Sequence, residues 1–199
     1  MNFTGCPWFW LAVAAVLASD SDPAGAAKLA QRARASLPRR VVLVGDSLAV
    51  GLSRPLAAEL KAQGVELRTC AKGGANAGQF TEPGGFGTLG LAELLSTFKP
   101  ELVLASLGTN DTAPGSSVRA KLPARFALLR ERVSAGGARL IFLEPPPLPW
   151  SRVPIHQAAQ AAPASVLLAP AIAQEPDHIH ATPAGYAAWA KHIAKELSR

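Results

Sequence analysis

Cysteine is nearly missing from this chain: Cys6 and Cys70 are the two among 199 residues. There is no Cys-x-x-Cys pair and no zinc-like spacing, which argues against a disulfide framework and a cysteine-built metal site. Tyrosine occurs once and aromatics make up 6%. No aromatic ladder therefore interleaves the basic residues. The formal charge of +6 implies some affinity for acidic surfaces. The basic side chains are scattered, however, and Arg119, Lys121, Arg125, Arg130 and Arg132 read as one solvated helix face. Nucleic acid is not an expected partner. No apolar run reaches the about 20 residues that a membrane-spanning helix needs. The first strand is followed by neither a G-x-G-x-x-G loop nor a Walker A loop, which ranks a nucleotide binder last.

Apolar residues make up 49% of the sequence, enough for a substantial core in one domain. The segment Pro7–Ala18 is an apolar run followed by Ser19-Asp20-Ser21. It suits a signal-peptide core, although no Lys or Arg precedes it. Residues 1–27 read as a signal peptide or an N-terminal anchor, and export to the periplasm or the exterior is the expectation. Membrane contact is then confined to this segment, if it is uncleaved. Residues 28–38 read as a linker, and residues 39–199 as the domain proper.

The domain opens on Val41-Val42-Leu43-Val44, the pattern of a fully buried strand, and then turns at Gly45-Asp46-Ser47. A helix is expected over Ser53–Gln63, closed by Gly64. Ser47 thus lies at a corner where helix N–H groups are available to a developing negative charge. Asp46 or Ser47 acting as a simple cap is the plainer alternative. Further strands are expected at Val65–Cys70, from Leu102 into the polar turn that reaches Asp111, at Ala138–Glu144 and at Ser165–Ala169. Cys70 reads as a small buried hydrophobe. Helices are expected over about 88–98, 118–135, 155–162 and 183–197, with Thr182 and Pro183 opening the last one. Thr81–Gly87 reads as a surface loop. The proline run Pro145-Pro146-Pro147-Leu148-Pro149 with Trp150 reads either as a stiff connector or as one wall of a substrate pocket. Alternating strands and helices make this an α/β chain with a parallel sheet covered on both faces. Ligands in such sheets bind at the carboxyl ends of the strands.

Three polar turns lie at or near the ends of strands or the starts of helices. They are Gly45-Asp46-Ser47-Leu48, Gly108-Thr109-Asn110-Asp111, and Asp177-His178-Ile179-His180. Lys72-Gly73-Gly74-Ala75-Asn76 lies between the first two. In these blocks and their order the chain resembles the SGNH (GDSL-type) hydrolases. The resemblance implies a flavodoxin-like three-layer αβα sandwich with a parallel sheet of about five strands. It also implies a serine esterase with Ser47 as nucleophile, His180 as base and Asp177 orienting it. The oxyanion donors it implies are the Ser47 N–H, the Gly74 N–H and the Asn110 side-chain amide. Offset selects Gly74 over Gly73, and Lys72 and Asn76 depart from the commonest sequences at this block.

A serine hydroxyl needs a base within hydrogen-bond reach. Three residues of separation let Asp177 hold one imidazole nitrogen of His180 and leave the other for Ser47. Gly45-Asp46-Ser47-Leu48-Ala49 is not G-x-S-x-G, so the α/β-hydrolase elbow is not matched. Asp46 and Asp111 are expected to brace their turns by local hydrogen bonds. His178 with His180 and Asp177 has too few neighbours for a metal site, and His156 and His192 lack ligand spacing. No metal or cofactor is called for. The expected substrate is a small-molecule or glycan ester, with acetyl on a glycan the first choice. Lipase, lysophospholipase and thioesterase activity, and a non-catalytic binding domain that keeps the fold, are the alternatives.

Overall fold

A computed structural model describes residues 37–199. The expected signal peptide or anchor, and most of the expected linker, lie outside these residues. Among the described residues no helix is long and apolar enough to cross a membrane.

The strands are β1 (Arg40–Gly45), β2 (Glu66–Ala71), β3 (Leu102–Ser106), β4 (Arg139–Leu143) and β5 (Ser165–Leu167). They form one sheet in the order β2-β1-β3-β4-β5, with every pairing parallel. The two central strands carry the apolar runs. Val41 to Val44 and Leu102 to Ala105 are completely buried, as expected for strands covered on both faces. The chain reverses direction across the sheet between β1 and β3, which opens a crevice at their carboxyl ends.

The helices are α1 (Ser47–Ala62), α2 (Gly78–Thr81), α3 (Phe86–Glu93), α4 (Thr109–Thr112), α5 (Leu122–Ala135), α6 (Val153–Ala161) and α7 (Pro183–Leu197). They divide into two layers. On one face Leu48, Leu52 and Leu56 of α1 pack with Tyr186, Trp189 and Ile193 of α7 against Val41, Leu43 and Leu104. On the other, Phe126 and Leu129 of α5 and Ala158 of α6 pack with Phe80 and Phe142 against Val42, Val44 and Val103. Phe126 stacks on Phe142 with ring centroids 4.2 Å apart. The result is the three-layer αβα sandwich with five parallel strands.

Several boundaries differ from the sequence reading. The first helix starts at Ser47, six residues before the expected Ser53. Leu48, Leu52 and Leu56 recur at helical spacing and are all buried, so burial extends the helix back to its cap. Thr81 is not loop surface. It is buried at the end of α2 and donates from its hydroxyl to the Ala77 carbonyl. The helix expected at Thr88 begins at Phe86, and its last stretch, Leu94–Phe98, winds as a π-helical turn that Lys99 ends in the left-handed region. Arg119 and Lys121 lie on a 3-10 turn before α5. Arg125 departs most from the expected solvated face, because its side chain is only 8% exposed. Cys70 is half-buried against the apolar core rather than fully enclosed.

Candidate active site

The site is built where β1 and β3 end side by side. The Asp46 N–H donates to the Ser106 carbonyl at 3.1 Å, and the Lys72 N–H to the Gly45 carbonyl at 3.0 Å, so pairing runs one residue past the ends of β1 and β2. A Cβ on Gly45 would lie 2.2 Å from the Ser106 oxygen. Only glycine lets the two strand ends approach this closely.

Asp46 is the cap of α1, and its Oδ1 accepts from the Leu48 N–H at 3.0 Å. Its other oxygen, Oδ2, has no hydrogen-bond partner among the described residues. Complete burial pushes the Asp46 carboxyl up to about 7, against the lowering influence of the Leu48 N–H. Ser47 is then the first helical residue. Its N–H has no backbone partner among the described residues and points out of the helix start, where the dipole favours negative charge.

The Ser47 hydroxyl lies 2.9 Å from His180 Nε2. His180 Nδ1 lies 2.6 Å from Asp177 Oδ2. Asp177 Oδ1 accepts the backbone N–H groups of Ile179 and His180, each at 2.9 Å. The His180 imidazole and these two amides hold the Asp177 carboxyl down at about 2. A charged carboxylate therefore fixes Nδ1 as the protonated nitrogen and leaves Nε2 as the acceptor facing Ser47. His178 sits between them in the left-handed region at φ +56°. The Glu175 N–H to His180 carbonyl bond, 2.8 Å, and the His178 N–H to Glu175 carbonyl bond, 2.9 Å, close the turn on itself. Gln174 Nε2 anchors it by donating to the carbonyls of His178 and Pro147.

Gly74 sits at φ +75°, with open space where a side chain would stand, and its N–H has no backbone partner among the described residues. The Asn110 Nδ2 donates to the carbonyl of Ala75, the next residue, at 2.8 Å. The other Asn110 amide hydrogen has no partner among the described residues. Gly108 carries the strand into this turn at φ +106°.

Sequence reasoning missed two groupings. Asp111 does not brace its turn locally. It accepts the Ala77 N–H at 2.9 Å and the Arg125 guanidinium at 3.0 Å. The second grouping stands at the end of β4, where buried Glu144 accepts from Arg152 Nε at 3.0 Å and faces His156 Nδ1 at 2.8 Å. Neither carries a local signal: Asp111 lies 34 residues from Ala77 and 14 from Arg125, and Glu144 lies 12 from His156. The proline run is tied down by Trp150 Nε1, which donates to the Thr112 hydroxyl at 3.2 Å. No group of three potential metal ligands occurs among the described residues.

No protein-family model matches the chain, and no curated protein matches it by sequence. Solved structures do match. A GDSL-like lipase from Bacteroides thetaiotaomicron is 20% identical, with 85% of this chain and 94% of that one covered and a TM-score of 0.58. A carbohydrate esterase of family 3 from Talaromyces cellulolyticus is 18% identical over 79% of this chain and 95% of that one, with a TM-score of 0.59. The protein TesA is 22% identical over 79% and 97%, with a TM-score of 0.60. The chain has the SGNH hydrolase fold. One fold hosts many functions, so within the SGNH fold the activity is argued from the side chains at the crevice.

Proposed function

We propose that the chain is a serine esterase of the SGNH type, with Ser47 as nucleophile, His180 as general base and Asp177 holding His180. The observation that carries this reading is the unbroken chain of short contacts from the Ser47 hydroxyl through His180 to Asp177. Nε2 takes the Ser47 proton as Oγ attacks the ester carbonyl, and later returns it to the leaving alcohol. Water then repeats the sequence on the acyl-enzyme. The Ser47 N–H, the Gly74 N–H and the remaining amide hydrogen of Asn110 stabilise the oxyanion. Asn110 suits this task because its NH₂ donates without carrying charge.

The substrate class follows from the surface around Ser47. His180 is 39% exposed and Asp177 45%. A cavity of about 470 Å³ lined by Phe80, Leu91 and Leu95 includes neither residue nor Ser47. Half-exposed His180 and Asp177 beside a part-buried Ser47 support a small acyl group on a large alcohol over a long chain needing a tunnel. The fold's likeness to a carbohydrate esterase supports acetyl on a glycan. Export of the mature domain belongs to the same reading.

The test is hydrolysis of p-nitrophenyl esters from acetate to palmitate by the wild type and Ser47→Ala. Wild-type activity falling with chain length, and abolished in the variant, is the expected result. Equal rates in both proteins would remove Ser47 as nucleophile. A preference for palmitate would make the protein a lipase instead.

A further inference from the structure

Three contacts of the loop that carries Gly74 lie at or beside one buried arginine. The Ala75 carbonyl accepts from Asn110 Nδ2 at 2.8 Å. The Ala77 N–H donates to Asp111 Oδ2 at 2.9 Å. Gly78 lies against the Arg125 guanidinium, where a Cβ would stand 2.7 Å from Cζ. Asp111 is fully buried, and its Oδ1 accepts from Arg125 Nη1 at 3.0 Å. Beyond the loop, Arg125 Nε donates to Glu82 Oε1 at 3.0 Å, and Nη2 donates to the same oxygen. The guanidinium fork thus spans the Asn110 turn on one side and the exit of the glycine loop on the other. A planar, permanently charged group suits that geometry, which a point charge cannot span.

We propose that Arg125 is a positioning residue for the oxyanion site: through Asp111 and Glu82 it clamps the 72–78 loop to the Asn110 turn and so sets the Gly74 N–H against the Asn110 amide. The proposal rests on the esterase reading above and deepens it. Arg125 touches no reacting atom. Its effect runs through Asp111, whose buried carboxylate needs a cation to remain a strong acceptor for the Ala77 N–H. Without that bond the stretch between Ala75 and the start of α2 keeps only local bonds among the described residues, including the Asn76 N–H to Gln79 Oε1 at 3.2 Å, the Gly78 N–H to Asn76 Oδ1 at 2.9 Å and the Gln79 N–H to the Asn76 carbonyl at 3.1 Å. Gly74 and Asn110 then lose their common register while the Ser47–His180–Asp177 chain, on other elements, is left intact.

The experiment pairs hydrogen exchange with kinetics on Arg125→Gln, Arg125→Lys and Glu82→Gln. Glu82 is 55% exposed, so its variant folds even if a change at Arg125 does not. In Arg125→Gln, amides of residues 72–78 should exchange at least tenfold faster while those of β1 and β3 are unchanged. Turnover of p-nitrophenyl acetate should fall about 10–100-fold with KM within about twofold, since outright loss of an oxyanion donor costs about 10²–10³. Arg125→Lys should recover part of the loss, and Glu82→Gln should show the same pattern more weakly. Unchanged exchange in the loop of both Arg125→Gln and Glu82→Gln overturns the clamp. Faster exchange with unaltered turnover overturns its role in positioning. Should the wild type hydrolyse no ester, the esterase reading falls, and loop exchange still decides whether the clamp exists.

Discussion

Two aspartates flank the crevice at Ser47 and are driven in opposite directions. Asp46 is wholly buried and lifted to about 7; Asp177 is half-exposed, hydrogen-bonded to two amides and an imidazole, and held at about 2. For Asp46 the folded value lies above the unfolded 3.8, so the folded state binds the extra proton. Stability from this group is therefore lost as pH rises from about 4 through about 7, by on the order of 4 kcal/mol. Asp46→Asn keeps an acceptor for the Leu48 N–H and cannot ionise. Urea titrations between pH 4 and 8 should show its stability flatter with pH than that of the wild type, with the gap closing in acid. Parallel pH profiles for the two proteins would mean that Asp46 is ionised throughout. Asp177 runs the other way: its contribution is present above pH 4 and lost as pH falls toward 2. Replacing it by Asn leaves a neutral partner free to select the wrong tautomer of His180. Turnover of p-nitrophenyl acetate by Asp177→Asn should drop about 10²–10⁴-fold. A drop under tenfold would leave His180 oriented by its backbone alone.

At the scale of elements, α1 and α7 pack closely because Gly51 has no side chain. A Cβ there would lie 2.2 Å from the Tyr186 ring. Gly51→Ala should cost about 1–3 kcal/mol through overpacking, although alanine favours the helix. Combining it with Tyr186→Leu should recover much of that cost, as expected for side chains in contact. Additive losses in urea melts would place the strain elsewhere. This contact also shows where the sequence could and could not be read. The strands were legible because Val41–Val44 and Leu102–Ala105 are unbroken apolar runs between turn residues. The start of α1 was not, since Gly45-Asp46-Ser47 was read as a turn and the helix as opening only at Ser53. Pro55 lies inside the helix, and burial of Leu52 and Leu56 on either side outweighs the lost bond. Arg125 was misplaced because its partners Asp111 and Glu82 are 14 and 43 residues away, beyond any local pattern. The Asp177–His180 pair was legible from its three-residue spacing. The approach of Ser47 to His180 spans 133 residues, and only the order of the blocks pointed to it.

For the whole molecule, the crevice joins parts of very different anchorage. Ser47 and Asn110 stand directly beyond β1 and β3, whose apolar side chains are completely buried. His180 arrives on the segment between β5 and α7, whose one strand-like contact is the Gln174–Ala181 bridge. That segment is stapled by Gln174 Nε2 and by the Thr182 N–H to Ala173 carbonyl bond, 3.0 Å, and few of its side chains reach the core. Segments with few buried apolar contacts open at lower free energy than the strands they cross. If His180 is the base, its arm should leave Ser47 before the sheet melts. In a urea series, esterase activity should fall at a lower midpoint than far-ultraviolet circular dichroism, and Gln174→Ala should widen the gap without moving the dichroism midpoint. Coincident midpoints in both proteins would mean that the arm unfolds only with the sheet. The crevice would then be as rigid on its His180 side as on its Ser47 side, and the staples at Gln174 would add nothing to its assembly.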